Sequence, residues 1–345
     1  MRLSSFLPSS GPRWPFGQPR AGSATPTQPG RVGREEPLFD EELLERLRRL
    51  VLLSGRARAE GIAGEHRSRR RGASPEFADF KSYTQGDDYR RIDWNTYARL
   101  NGLFVRLSEV TTELSVHVLL DVSRSMDWRG GPESPTKLTY ARRVAGALGY
   151  VALWHFDRVS VVPFGETVGT AFGPVQGRAN VVPLLRFLER LEPAGRTALT
   201  ATIDRYARAR RRPGFLILVS DLLSGDPAEL RETLRGLRAR GWQAVVVQIL
   251  DEAEVAPALA MRYLAGDHAV AVRPPAELLE VETGERLRLT PSDAVLARYA
   301  SAIGGWLAEV ETTCHDERAV YVRLLTGWDF EEVVLGLLHR HGVVA

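Results

Sequence analysis

Five oxygen-bearing residues stand at positions where their side chains could meet. Asp121, Ser123 and Ser125 lie at spacing two in HVLLDVSRSM, directly after a short apolar run. Their oxygens can converge on one point, in a loop just ahead of a helix. A carboxylate with two hydroxyls is hard oxygen chemistry, suited to Mg²⁺ or Mn²⁺ rather than to a soft metal. Asp221 follows the apolar run FLILVS, with Ser220 and Ser224 beside it. Thr197 lies in PAGRTALT, a glycine-containing loop that opens a helix. Mg²⁺ usually keeps several waters and takes one or two carboxylates. A site made from Asp121, Ser123, Ser125, Thr197 and Asp221 therefore leaves a coordination position for another group.

A plainer reading exists for each residue taken alone. Ser and Asp ahead of a helix cap its free N–H groups, Thr200 could cap as well as Thr197, and Asp221 could simply turn the chain. The joint occurrence of the three segments favours the ligand set. Other chemistries find little support. Seven His residues offer no spaced metal pair, and His339 and His341 are too close on one predicted helix to form one. There is no Gly-x-Ser-x-Gly elbow and no glycine-rich phosphate loop with lysine. Cys314 and His315 are neighbours on a predicted helix and so point apart. A phosphatase or phosphotransferase starting from Asp121 would need a second acid two residues on for proton transfer. Ser123 stands there, and the two lysines, Lys81 and Lys137, are not near Asp221 in sequence. No catalytic residue is expected.

The elements that must position these residues read as α/β from 115 onward. Residues 116–120 form a continuous apolar run, as in a strand buried on both faces. Strands are predicted at 159–164, 215–219, 244–250 and 320–325. Helices are predicted at 137–154, 180–191, 200–210, 227–240, 292–312 and 330–341. Strands alternating with helices imply crossover units and a mostly parallel sheet, with sites at the strands' carboxyl ends. Two alternating runs around Thr283-Gly284 predict a hairpin insertion near 266–290.

Ahead of this lies a different region. Residues 1–38, rich in Pro, Gly and Ser, are expected to be a disordered tail. Residues 39–113 are expected to form a smaller N-terminal module: a helix over 40–52, a mixed segment, and a strand over 103–114. Residues 114–345 would be the α/β domain. The chain of 345 residues, 44% hydrophobic, has ample core material. Its 46 basic against 43 acidic residues exclude a highly charged nucleic-acid tail protein. The Arg67–Arg71 run lacks the aromatic interleaving of a single-strand platform and is expected to be a solvated or partner-facing surface. In GDDYRRIDW, Asp87, Asp88 and Asp93 near Arg90 and Arg91 are expected to pair within the chain. One cysteine excludes a disulfide framework. No apolar run reaches the length of a spanning helix, so a cytoplasmic protein without an integral membrane segment is expected.

The set Asp121-x-Ser123-x-Ser125, Thr197 and Asp221 resembles the metal-ion-dependent adhesion site of von Willebrand factor A domains. The resemblance implies a doubly wound, mostly parallel sheet. It also implies that Ser123, Ser125 and Thr197 touch the metal while Asp121 and Asp221 act partly through water. The open position would take a carboxylate from a partner protein. The segment EFADFKSYTQGDDYRRIDWNTYARLNGLFVRLSE, residues 76–109, is similar to the signature of a bacterial family known as domain of unknown function 58, as are ELLEVETGERLRLT and the helix carrying Tyr299 and Trp306. That resemblance covers roughly 40–345. It implies work beside a MoxR-type AAA+ ATPase, as a non-enzymatic adaptor or assembly factor binding the ATPase or its client. Many members of that family carry two N-terminal membrane helices, which are not expected in this chain. A metal-free scaffold is the remaining alternative.

Overall fold

The computed structural model describes residues 38–50, 52, 67–68, 77–84, 89, 92–100, 102–108, 110–111, 114–131, 134–256, 276–279, 282, 286–290, 292–332, 336, 338–341 and 343–344. The expected tail, apart from Leu38, lies outside these residues. So do Arg69–Arg71, the Asp87, Asp88, Arg90 and Arg91 charges, and the Thr283-Gly284 turn. The chain divides into two units. The smaller spans 53–113, and the larger holds the segments on either side of it.

Helix α1 (Glu41–Leu47) belongs to the larger unit rather than to an N-terminal module. Asp40 caps it by accepting from Leu43 N at 2.8 Å. Leu43 and Leu47 are buried with the α/β core, which explains why so short a helix persists. It stops well before residue 52, and Leu52 instead bridges Val344. The smaller unit contains β1 (Arg67–Ser68), β2 (Phe77–Ser82), α2 (Trp94–Leu100), β3 (Phe104–Ser108) and β4 (Val110–Thr111). The single strand predicted over 103–114 is split. β3 pairs with β2 while β4 pairs with β1, both antiparallel.

The larger unit is mixed α/β. A six-stranded, mostly parallel sheet is flanked by helices. Its strands are β5 (Ser115–Asp121), β6 (Arg158–Phe164), β7 (Phe172–Gln176), β8 (Phe215–Ser220), β9 (Gln243–Leu250) and, after the hairpin β10 (Ala276–Leu279) and β11 (Arg286–Leu289), β12 (Val320–Leu325). The order is β12-β9-β8-β5-β6-β7, with β7 alone antiparallel. Sequence patterning missed β7. It is an edge strand whose residues are half-buried or exposed, so it carries no apolar run.

Both faces of the central strands are buried. Val116, Val118 and Leu120 point into one cluster with α1, α3 (Lys137–Trp154) and α4 (Val181–Glu189). Leu119 points into the other, with α5 (Leu199–Ala209), α6 (Pro227–Ala239) and, beyond the short α7 (Glu252–Val255), the long α8 (Asp293–Asp316). Two-sided burial is why these strands read as continuous apolar runs. Of the predicted last helix, 330–341, residues 333–335 and 337 lie outside the described residues. Phe330–Glu332 and Leu338–Arg340 are helical. Phe330 and Leu338 both bury in the first core cluster. Among the described residues no helix is long and apolar enough to cross a membrane.

Candidate functional site

From β5 the chain moves to β6 and β7 on one side, then returns to β8 on the other. The β5/β8 boundary is therefore a topological switch point, where open α/β sheets form crevices at the strands' carboxyl ends. Leu120 is paired with Val219 there, so Asp121 and Ser220 come out side by side.

Asp121 is fully buried and heavily bonded. Its Oδ1 accepts from Ser123 N at 2.9 Å and from the Thr197 hydroxyl at 2.9 Å. Its Oδ2 accepts from the Ser220 hydroxyl at 2.6 Å and from Thr197 at 3.1 Å. The Ser123 and Ser125 hydroxyls are 3.0 Å apart. Burial, then the negative charge of Asp221, push the Asp121 carboxyl up to about 6, against the opposing hydrogen bonds from Ser220 and Ser123.

Thr197 is delivered by a loop tied to the Asp121 segment. Ala194 N donates to Val122 O at 2.7 Å, and Arg124 N donates to Gly195 O at 3.0 Å. Gly195 takes a left-handed φ of 71°, a conformation glycine adopts without steric cost. The capping alternatives do not hold. Ala198, not Thr197, is the N-cap of α5, with no side-chain cap. Ser123 precedes a short 3₁₀ turn but makes no cap hydrogen bond with its hydroxyl.

Asp221 combines two jobs. Its Oδ1 accepts from Leu223 N at 3.1 Å, as a turn-forming aspartate would. Its Oδ2 accepts from Lys137 Nζ at 2.8 Å. Lys137 also donates to Glu254 Oε1 at 2.6 Å. Burial favours a neutral lysine, but Asp221 and Glu254 outweigh it and hold the Lys137 pKa above the ordinary lysine value. Burial pushes the Glu254 carboxyl up, against the pull of Lys137. Glu254 Oε2 accepts from Asp251 N at 2.8 Å, and Asp251 Oδ2 accepts from Gly130 N at 3.0 Å and from the Thr326 hydroxyl at 2.6 Å. Gly130 permits this approach, since a Cβ there would sit 2.1 Å from Asp251 Oδ1.

Sequence reasoning missed Lys137, which touches Asp221 across 84 residues of chain. One signal was present. Lys137 is one of two lysines in an arginine-dominated chain. It stands at the first position of a helix, where a cation opposes the helix dipole. Sequence reasoning also missed Glu282. This residue lies between β10 and β11, and its carboxyl is near enough to Thr197 N–H and the Ser125 hydroxyl for both to favour its charged form. Burial, then the charges of Asp221 and Asp121, push it up to about 7. Its Oε1 is buried without a hydrogen-bond partner.

Asp121, Ser123, Ser125, Thr197 and Asp221 thus gather at one end of the sheet, with Ser220 and Glu282 added. Every donor atom is oxygen, the chemistry of a hard divalent cation. Among the described residues no group of three or more His, Cys, Asp or Glu side chains is arranged to hold a metal by itself. A cation here would need the hydroxyls and water alongside the carboxylates. The buried, partnerless Glu282 oxygen is the kind of atom a cation would satisfy.

A family model described as "Protein of unknown function DUF58" matches residues 79–300. The chain belongs to the DUF58 family. The match takes in most of β2, the switch-point strands, the hairpin and the start of α8, so all seven site residues fall inside it. Its relatives include the uncharacterized proteins Mb1516 of Mycobacterium bovis and Rv1480 of Mycobacterium tuberculosis. Each is 27% identical over 221 residues, covering 63% of this DUF58 chain and 68% of the relative. Among solved structures, the manganese-loaded TRAP protein of Plasmodium vivax superposes with a TM-score of 0.29 at 17% identity. That superposition covers 39% of this chain and 57% of the other, just over half its length. An uncharacterized membrane spanning protein from Vibrio fischeri superposes with a TM-score of 0.23 at 15% identity, covering 66% of this chain and 98% of the other. Superpositions this loose leave the fold to be argued from the topology itself.

Proposed function

We propose that the larger unit of this DUF58 protein is a von Willebrand factor A-like domain that binds Mg²⁺ or Mn²⁺ and captures a carboxylate of a partner protein. Ser123, Ser125 and Thr197 would touch the cation, with Asp121 and Asp221 acting partly through water. The observation that carries this reading is the meeting of Asp121 with Thr197 and Ser220 at the β5/β8 switch point, beside the Ser123–Ser125 hydroxyl pair. Charge supports it too. Asp121, Asp221, Glu254 and Glu282 interact with one another or with a shared neighbour, and among the described residues Lys137 is the cation in ion-pair contact with this group. A divalent cation would offset the excess.

The partner we propose is a MoxR-type AAA+ ATPase or that ATPase's client, and the role is that of a non-enzymatic adaptor. A phosphotransferase would need a lysine free for phosphate and an acid two residues after Asp121. Lys137 is committed to two carboxylates, and Ser123 stands at the second position.

Thermal melting with and without Mg²⁺ or Mn²⁺ tests the site. At a hundredfold excess over Kd, binding stabilises by about 2.7 kcal/mol, which for a unit of this size raises Tm by about 5–10 °C. Asp121→Ala should abolish the shift and any EDTA-sensitive capture of the partner. An equal shift in wild type and Asp121→Ala would refute the assignment.

A further inference from the structure

The Glu282 carboxylate lies within hydrogen-bonding reach of the Ser125 hydroxyl and Thr197 N–H. Those residues supply two of the three direct contacts in the reading above, so Glu282 neighbours the groups that would hold the cation. The hairpin turn is also tied to the site loop, since Arg196 Nε donates to Glu282 O at 3.3 Å. Glu282 Oε1 is buried with no hydrogen-bond partner. A buried carboxylate oxygen left unpaired beside two further carboxylates is costly. A cation held by Ser125 and Thr197 beside Glu282 would remove that cost.

We propose that Glu282 is the site's own carboxylate ligand, held in the position that a partner's acidic side chain would take. Partner capture is then an exchange of one carboxylate for another. The proposal rests on the metal-site reading and adds a competitor to it. A tethered group competes at an effective concentration of about millimolar or more. Weak acidic ligands would therefore be excluded, and only a partner that also binds elsewhere on the surface would displace Glu282.

The test uses Mn²⁺ alone as the probe, with the full chain as wild type, Glu282→Gln and Asp121→Ala. Free Mn²⁺ is followed by electron paramagnetic resonance and bound Mn²⁺ by water-proton relaxation. Glu282→Gln should weaken Mn²⁺ binding about tenfold, the lower end of what losing even an outer partner costs a metal site. Its bound Mn²⁺ should relax water more strongly, because water fills the vacated position. Acetate should restore affinity in Glu282→Gln and leave wild type unchanged, which also shows that the variant site is folded. Equal affinity and relaxation in wild type and Glu282→Gln, with binding lost in Asp121→Ala, would overturn Glu282 as a ligand and leave the site reading standing. Failure of wild type to bind Mn²⁺ would overturn both.

Discussion

Replacing Lys137 by Met keeps the length and apolar stem of the side chain and deletes its charge. Lys137 and Asp221 are each 1% exposed, and the ammonium lies 2.8 Å from Asp221 and 2.6 Å from Glu254. Without it, two carboxylates remain in a site that water scarcely reaches, next to the already destabilised Asp121. Breaking a buried pair by removing one partner costs about 3–5 kcal/mol, mostly from the uncompensated charge left behind. For a unit of this size that lowers Tm by about 6–20 °C. The assay is urea unfolding followed by tryptophan fluorescence, at neutral pH without divalent metal. Glu254→Gln in the Lys137→Met background should recover part of the loss, because it removes one of the stranded charges. A double-mutant cycle should then give a coupling of about 0.5–3 kcal/mol. A loss below about 1 kcal/mol for Lys137→Met, or strict additivity with Glu254→Gln, would refute the idea that this lysine anchors the acidic site.

Two further outcomes follow from the same geometry. Ser220→Ala should cost about 1.5–3 kcal/mol in the same unfolding assay, the range for a hydrogen bond to a charged group. It removes the 2.6 Å donor to Asp121 and the acceptor for Leu222 N, which Ser220 holds at 3.0 Å in a left-handed turn. His117 is buried, with Nδ1 2.8 Å from the Tyr206 hydroxyl. Burial, then the charge of Arg210, lower its pKa from 6.5 to about 4. The folded state thus stays neutral at His117 while the unfolded chain takes up a proton. Stability should fall as pH drops from about 6.5 to about 4, by ~3 kcal/mol from this residue. Unfolding free energies measured across that range should show a shallower slope in His117→Gln; an unchanged slope would remove His117 as the cause.

The sheet was legible because its signals are local. β5, β8 and β9 are largely apolar runs that lead into an acid, and Asp121, Asp221 and Asp251 mark those ends. Residues 276–279 and 286–289 pair as a hairpin because alternation survives on both sides of the turn. Where the local signal was thin, the reading failed. β7 buries too little to show a pattern. α2 is only seven residues long, and its Trp94 and Tyr97 are exposed. The 103–114 run looked continuous because alternation alone does not say with which strand each half pairs.

The chain's own order of residues determined the identity and spacing of the oxygen donors and the strand ends that carry them, since those depend on neighbours a few positions apart. Which charges face one another was decided by the tertiary fold. Lys137 reaches Asp221 and Glu254 across 84 and 117 residues of sequence, and Glu282 comes near Ser125 and Thr197 from a hairpin that follows β9 in the chain. Such meetings arise because the strand order reverses at β5/β8 and brings distant loops to one edge. No periodicity in the sequence encodes that reversal.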